Sequence, residues 1–186
     1  MVDRPVSQRS LQQEGCMPSY IALLRAVNVG GTGKLPMAEL KAMCVAAGFR
    51  QVQTYIASGN VVFVADQTEQ QVQAALSQRL AAYAGKPVGV IVRSAQEMAA
   101  VLAGNPFPDT LGNRTVAIFL DSAPPADTVA QLKGQNDELV QLGLREIYVA
   151  YGSGMGSSKF KIPAAANGTA RNMNTVAKLV EMAGAL

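Results

Sequence analysis

Arg171, Asn174 and Lys178 follow one another at intervals of three and four residues near the end of the chain, with Thr169 before them and Asn172 among them. That spacing aligns side chains along one flank of a helix. A threonine at a helix start caps unpaired backbone N–H groups, and such an end beside cations favours an anion. The pattern predicts a helix from about Ala170 to Ala183, with Met173, Val176, Ala177 and Val180 as its buried stripe. Lys159 and Lys161, in the Gly-Ser-rich stretch just before, could fold over the same anion with backbone amides as further donors. An ordinary capped surface helix with solvated charges is the competing account, and short motifs more often have such a bland explanation.

A second locus follows the first apolar run. Arg25 ends that run, and Asn28, Gly30, Gly31 and Lys34 lie beyond it. An arginine in an apolar strand is expensive to bury alone, so it is either paired internally or directed into a polar cleft. The glycines match neither the GxxxxGK[ST] nor the complete GxGxxG spacing, and turn geometry accounts for them more simply than a phosphate cradle. Ser58, Gly59 and Asn60 read as a hairpin turn, which would become a ligand contact beside Asn28 if the first and third strands are neighbours.

The remaining chemistry is thin. The chain has no histidine, which excludes Ser-His and Cys-His nucleophile systems and the commonest zinc ligand. Asp66, Asp109, Asp121 and Asp127 are scattered without ligand spacing, so no metal site and no cofactor is expected. Glu146 and Tyr148 alternate on one strand face, but need a pocket before they suggest acid–base work. Net charge is +3, and the whole excess lies beyond Gly152, where Lys159, Lys161, Arg171 and Lys178 face only Glu181. Cys16 lies in a polar leader and Cys44 in an apolar helical pattern, which fits a reducing, cytoplasmic setting rather than a disulfide framework. No apolar run approaches the roughly 18 residues a membrane helix needs.

Helices and strands must position these groups. Residues 1–17 read as a disordered leader, with Met17 a candidate start. Then come a strand at Ser19–Ala26, a helix opened by Pro36, strands at Gln51–Ala57 and Val61–Ala65, a helix whose Val72, Leu76, Leu80 and Tyr83 share a face, and a strand at Val88–Arg93. This is the split βαβ order, an α+β ferredoxin-like half with both helices on one face of an antiparallel sheet. After a helix at Ala95–Ala103 the order begins again: a strand at Thr115–Leu120, a short helix at Ala126–Lys133, and a hairpin at Leu139–Leu144 and Glu146–Tyr151. No closing strand is evident before the last helix. The division expected is therefore 18–94 and 95–186, duplicated in element order without a residue-level repeat.

Tyr20–Met43 (YIALLRAVNVGGTGKLPMAELKAM), Thr54–Phe63 (TYIASGNVVF), Asn105–Phe107 and Thr169–Ala183 (TARNMNTVAKLVEMA) occur in an order that resembles the bacterial family known as domain of unknown function 1697. The resemblance implies a duplicated ferredoxin-like fold and carries no established activity. Three functions stand open. The first is a module binding a small phosphate- or carboxylate-bearing ligand through Arg25, Asn28, Gly30, Gly31, Ser58, Asn60, Lys159, Arg171, Asn172, Asn174 and Lys178. Nucleic-acid binding ranks below it, because aromatics are 5% of the chain and Tyr55, Phe63 and Phe119 sit in apolar contexts. A histidine-free enzyme acting on an anionic substrate is the third, with nothing that selects a reaction. Sheet edges could also pair two copies of the chain.

Overall fold

A computed structural model describes residues 17–28, 34–156 and 158–186. The expected leader before Met17, and Gly30 and Gly31, lie outside the described residues. The chain runs β1 (Ser19–Leu24), α1 (Met37–Ala46), β2 (Arg50–Tyr55), β3 (Asn60–Val64), α2 (Glu69–Ala84), β4 (Val90–Ser94), α3 (Ala95–Ala103), β5 (Thr115–Phe119), β6 (Glu138–Leu142), β7 (Glu146–Tyr151), β8 (Thr169–Asn172) and α4 (Met173–Gly184). Two antiparallel sheets result, ordered β2-β3-β1-β4 and β6-β7-β5-β8. Counted within its own half, each reads second, third, first, fourth.

β1 is apolar throughout because it is central and covered on both faces. Tyr20, Ala22 and Leu24 pack with Leu40 and Cys44 of α1 and Val72, Leu76 and Leu80 of α2. Ile21 and Leu23 face the other way, into a layer formed by Met98 and Val101 of α3 and Met173, Val176 and Leu179 of α4. Ala117, Phe119 and Tyr148 of the second sheet close that layer from its far side, so α3 and α4 lie between the two sheets. The outer face of the second sheet, with Val116, Ile147 and Val149, is covered by Phe160, Ile162 and Ala165. Helix starts are set locally. Thr68 with Gln71 and Ser94 with Glu97 form capping boxes, and Gly85 in the left-handed conformation stops α2.

Two expectations are corrected. Thr169 does not cap the last helix: Thr169–Asn172 form β8, which pairs with β5 and closes the second sheet, and Asn172 is the cap, accepting from the Thr175 N–H at 2.9 Å. The open edge of β5 offers backbone bonds that a helical Ala170 and Arg171 would leave unmade. The helix face shifts accordingly, burying Met173, Thr175, Val176, Leu179 and Ala183 while Ala177 is exposed. The short helix expected at Ala126–Lys133 is a 3-10 turn over Thr128–Gln131, for the segment behind Pro124 and Pro125 lacks the length to propagate an α-helix.

Candidate functional site

Arg171 sits in the middle of β8 and is 8% exposed. Every nitrogen of its guanidinium donates to a neutral oxygen. Nε reaches the Asn60 side chain, Nη1 the Thr169 hydroxyl (2.8 Å) and the Ala170 carbonyl (2.9 Å), and Nη2 the carbonyls of Leu24 (2.9 Å), Ser58 (3.0 Å) and Gly59 (3.4 Å). Burial pulls its pKa down to about 10, so it is charged at neutral pH. Four of these acceptors belong to β1 and the β2–β3 hairpin. The residue thus ties the end of the second sheet to the first.

Arg93 does the converse. It occupies the corresponding place in β4, opposite Ile21 as Arg171 is opposite Ala117, each one residue before a helix cap. Its Nη2 donates to the Leu120 and Arg145 carbonyls, at the end of β5 and at the β6–β7 hairpin. Arg145 then reaches back with its side chain, bidentate to Glu69 (2.8 and 3.1 Å) and onto Glu97. Those carboxylates hold its guanidinium more firmly protonated than usual. Each sheet is gripped by an arginine from the last strand of the other.

Asn28, Ser58 and Asn60 gather at the same end of the first sheet as Arg171. Asn28 donates to the carbonyls of Leu35 (2.9 Å) and Ala57 (2.8 Å) and accepts from the Leu35 N–H, pinning the loop after β1 against the hairpin. Asn60 donates to the Tyr55 carbonyl and the Ser58 hydroxyl. Gly59 has φ +79°, and a Cβ there would lie 2.6 Å from Val27 Cγ2 and 2.7 Å from Leu24 Cβ, so turn and close approach both require glycine. Arg25 adjoins this cluster, exposed, and donates to the Asn167 side chain at 3.2 Å. The other expected residues lie apart from it. Asn174 is exposed beside Gly112, Lys178 pairs with Glu181 at 2.7 Å, and Lys159 is exposed beside Gly134, next to the Lys133–Lys161 bridge.

A cleft of about 900 Å³ opens between the loop after β1, the end of α2 and the segment leading to β4. Val27, Leu35, Leu80 and Val88 form an apolar floor, and Arg25, Lys34 and Lys86 supply charge, with no carboxylate among the described residues that line it. Tyr83, grouped with the core face of its helix by spacing, is half-exposed at this cleft. Lys86 was hidden as a site residue between Gly85 and Pro87, which mark a turn. Phe63 and Phe119 are fully buried, so neither offers a stacking face to bases. Among the described residues no cluster of Cys, Asp or Glu could hold a metal ion, and no helix is long and apolar enough to cross a membrane.

Comparison with known proteins gives family and fold. The family model described as protein of unknown function (DUF1697) matches residues 17–148. Among solved structures, a conserved bacterial protein from Streptococcus pneumoniae is similar with a TM-score of 0.76 and 26% sequence identity, over 90% of this chain and 99% of that one. No curated protein matches the sequence.

Proposed function

The chain belongs to the DUF1697 family of proteins of unknown function, and we propose that it is a binding module for a small organic anion held in the cleft beside β1. The observation that carries this reading is the combination of Arg25, Lys34 and Lys86 over an apolar floor, with no opposing carboxylate among the described lining residues. Cations at the mouth of a cavity raise the local concentration of anions, and the floor accommodates an apolar body behind the phosphate or carboxylate. Of the residues expected from sequence, Arg25 supplies charge, while Asn28, Ser58, Asn60 and Arg171 shape the wall by fixing the loop and hairpin. Gly30 and Gly31 fall in the intervening loop sequence, and Lys159, Asn172, Asn174 and Lys178 stand outside this reading.

The same proposal treats residues 18–94 and 95–186 as duplicated ferredoxin-like halves of a cytoplasmic protein. Supporting it are the shared strand order and the Arg93-Ser94 and Arg171-Asn172 pairs at matching strand-to-helix junctions. The test is a low-salt thermal-shift screen with phenyl phosphate, benzoate and inorganic phosphate on wild type and an Arg25→Gln/Lys86→Gln variant. A ligand at a hundredfold its Kd adds about 2.7 kcal/mol of stability. The expected result is a shift for the organic anions that the variant loses. No shift with any probe, or one that the variant keeps, overturns the reading.

A further inference from the structure

A second cavity, of about 470 Å³, lies between α3 and the β6–β7 hairpin. Arg93, Glu97, Arg145, Glu146 and Tyr148 line it on the polar side and Leu142 on the apolar side. Around it stand the guanidiniums of Arg93 and Arg145 and the carboxylates of Glu69, Glu97 and Glu146, and Arg93 feels the charge of each of the other four. Two cations against three anions leave one net negative charge. Arg145 is taken by Glu69 and Glu97, and Arg93 by carbonyl oxygens. Glu146, 6% exposed, accepts from the N–H groups of Leu144 and Arg145 (3.1 Å each) and stands 3.4 Å from the Tyr148 hydroxyl. It makes no ion pair among the described residues.

The hairpin takes N–H bonds on both Glu146 oxygens, a role that does not itself require a formal charge. Glu146 is the first residue of β7, opposite Phe119, and Asn60 is the first residue of β3, opposite Leu23. At Asn60 a neutral amide ties the hairpin and meets the clasping arginine. Arg93 attracts the Glu146 carboxylate through space but gives its hydrogen bonds to carbonyls, so the charge at the second hairpin can still take a cation that donates to it directly. Gly104 keeps the space beside the phenol open. Its backbone (φ −81°, ψ 5°) matches that of Ala47 at the end of α1 (φ −79°, ψ −3°), so conformation does not demand glycine. A Cβ there would lie 3.0 Å from the Ala100 carbonyl oxygen and 3.3 Å from the Tyr148 hydroxyl, so close approach to the end of α3 and the space beside the phenol both favour glycine.

We propose that this cavity binds a small primary ammonium ligand with a short apolar tail, its N–H donors meeting the Glu146 carboxylate and the Tyr148 oxygen. Titration of the full ¹⁵N-labelled chain with n-butylammonium chloride, followed by amide NMR shifts, tests it, with sodium butyrate and tetramethylammonium chloride as controls. The expected result is saturable shifts around residues 100–104 and 141–148 for n-butylammonium alone. Affinity should fall at least tenfold in Glu146→Gln, which keeps the acceptor and removes the charge. It should fall several-fold in Gly104→Ala, which narrows the space and alters no charge, and which decides the matter if Glu146→Gln does not fold. Equal binding of tetramethylammonium, unchanged affinity in whichever of these variants folds, or no saturable shift overturns the proposal.

Discussion

Replacing Arg171 by alanine removes the donor that four first-half acceptors share, the carbonyls of Leu24, Ser58 and Gly59 and the Asn60 side chain. Hydrogen bonds from a charged donor contribute roughly 1.5–3 kcal/mol each, so the gross loss is about 6 kcal/mol at the low end. Part is returned, because the buried charge no longer has to be desolvated. A pKa pulled from 12.5 to about 10 corresponds to about 3 kcal/mol of that cost. The net loss is about 3 kcal/mol, which for a chain of this size lowers Tm by about 6–12 °C. Thermal unfolding followed by circular dichroism reads it directly. Arg25→Ala, an exposed arginine with one hydrogen bond, serves as control and should move Tm by about 1–2 °C. A double-mutant cycle with Asn60→Ala should give a coupling of at least about 0.5 kcal/mol. An Arg171→Ala shift no larger than the control's, or no coupling to Asn60, would refute the clasp as a source of stability.

Two further outcomes follow from local geometry. The Glu97 carboxyl is half-buried, which raises its pKa, yet the Ser94 N–H and hydroxyl and Arg145 hold it below its ordinary 4.5. A depressed folded pKa gives stability that is present above the unfolded value and lost as pH falls through the folded one. Below pH 4.5 the Tm of wild type should therefore drop more steeply with acid than that of Glu97→Gln, and parallel slopes would contradict the pairing. Gly59→Ala should cost at least about 2 kcal/mol by urea unfolding, from positive φ together with the clash on Leu24 and Val27. Gly48→Ala, at φ +86° with open space around it, should cost only about 1 kcal/mol, and equal losses would dismiss the close approach.

The sequence made most elements legible because their periods are clean. Val72, Leu76 and Leu80 recur at helical spacing and are buried on α2, and the all-apolar β1 is central as its composition implies. β8 was illegible because it is four residues long, holds a charged residue at its centre and runs straight into a helix. One signal was available. Arg93-Ser94 before α3 has the same form as Arg171-Asn172 before α4, and that likeness marks a strand-to-helix junction in both halves. Arg25 and Lys34 were visible as cations around a glycine loop, whereas Lys86 joins them only through the fold. The alternation of Glu146 and Tyr148 was equally visible, but the cavity they line exists only once α3 packs across the second sheet.

The placing of α4 bears on how the chain is made. Its apolar side completes the cover of the first sheet, against Ile21, Leu23 and Val62, although it is synthesised after every other described helix. A ribosome that has just delivered Ser94 must add roughly 80 more residues before Met173 appears, which at 5–20 residues per second takes about 4–16 s. Through most of that interval the first sheet has α1 and α2 on one side and only α3 on the other, where α4 is still missing. Pulse-labelled nascent chains stalled between Phe119 and Thr169 should accordingly be protease-sensitive and bound by chaperones, and become resistant only once α4 has emerged.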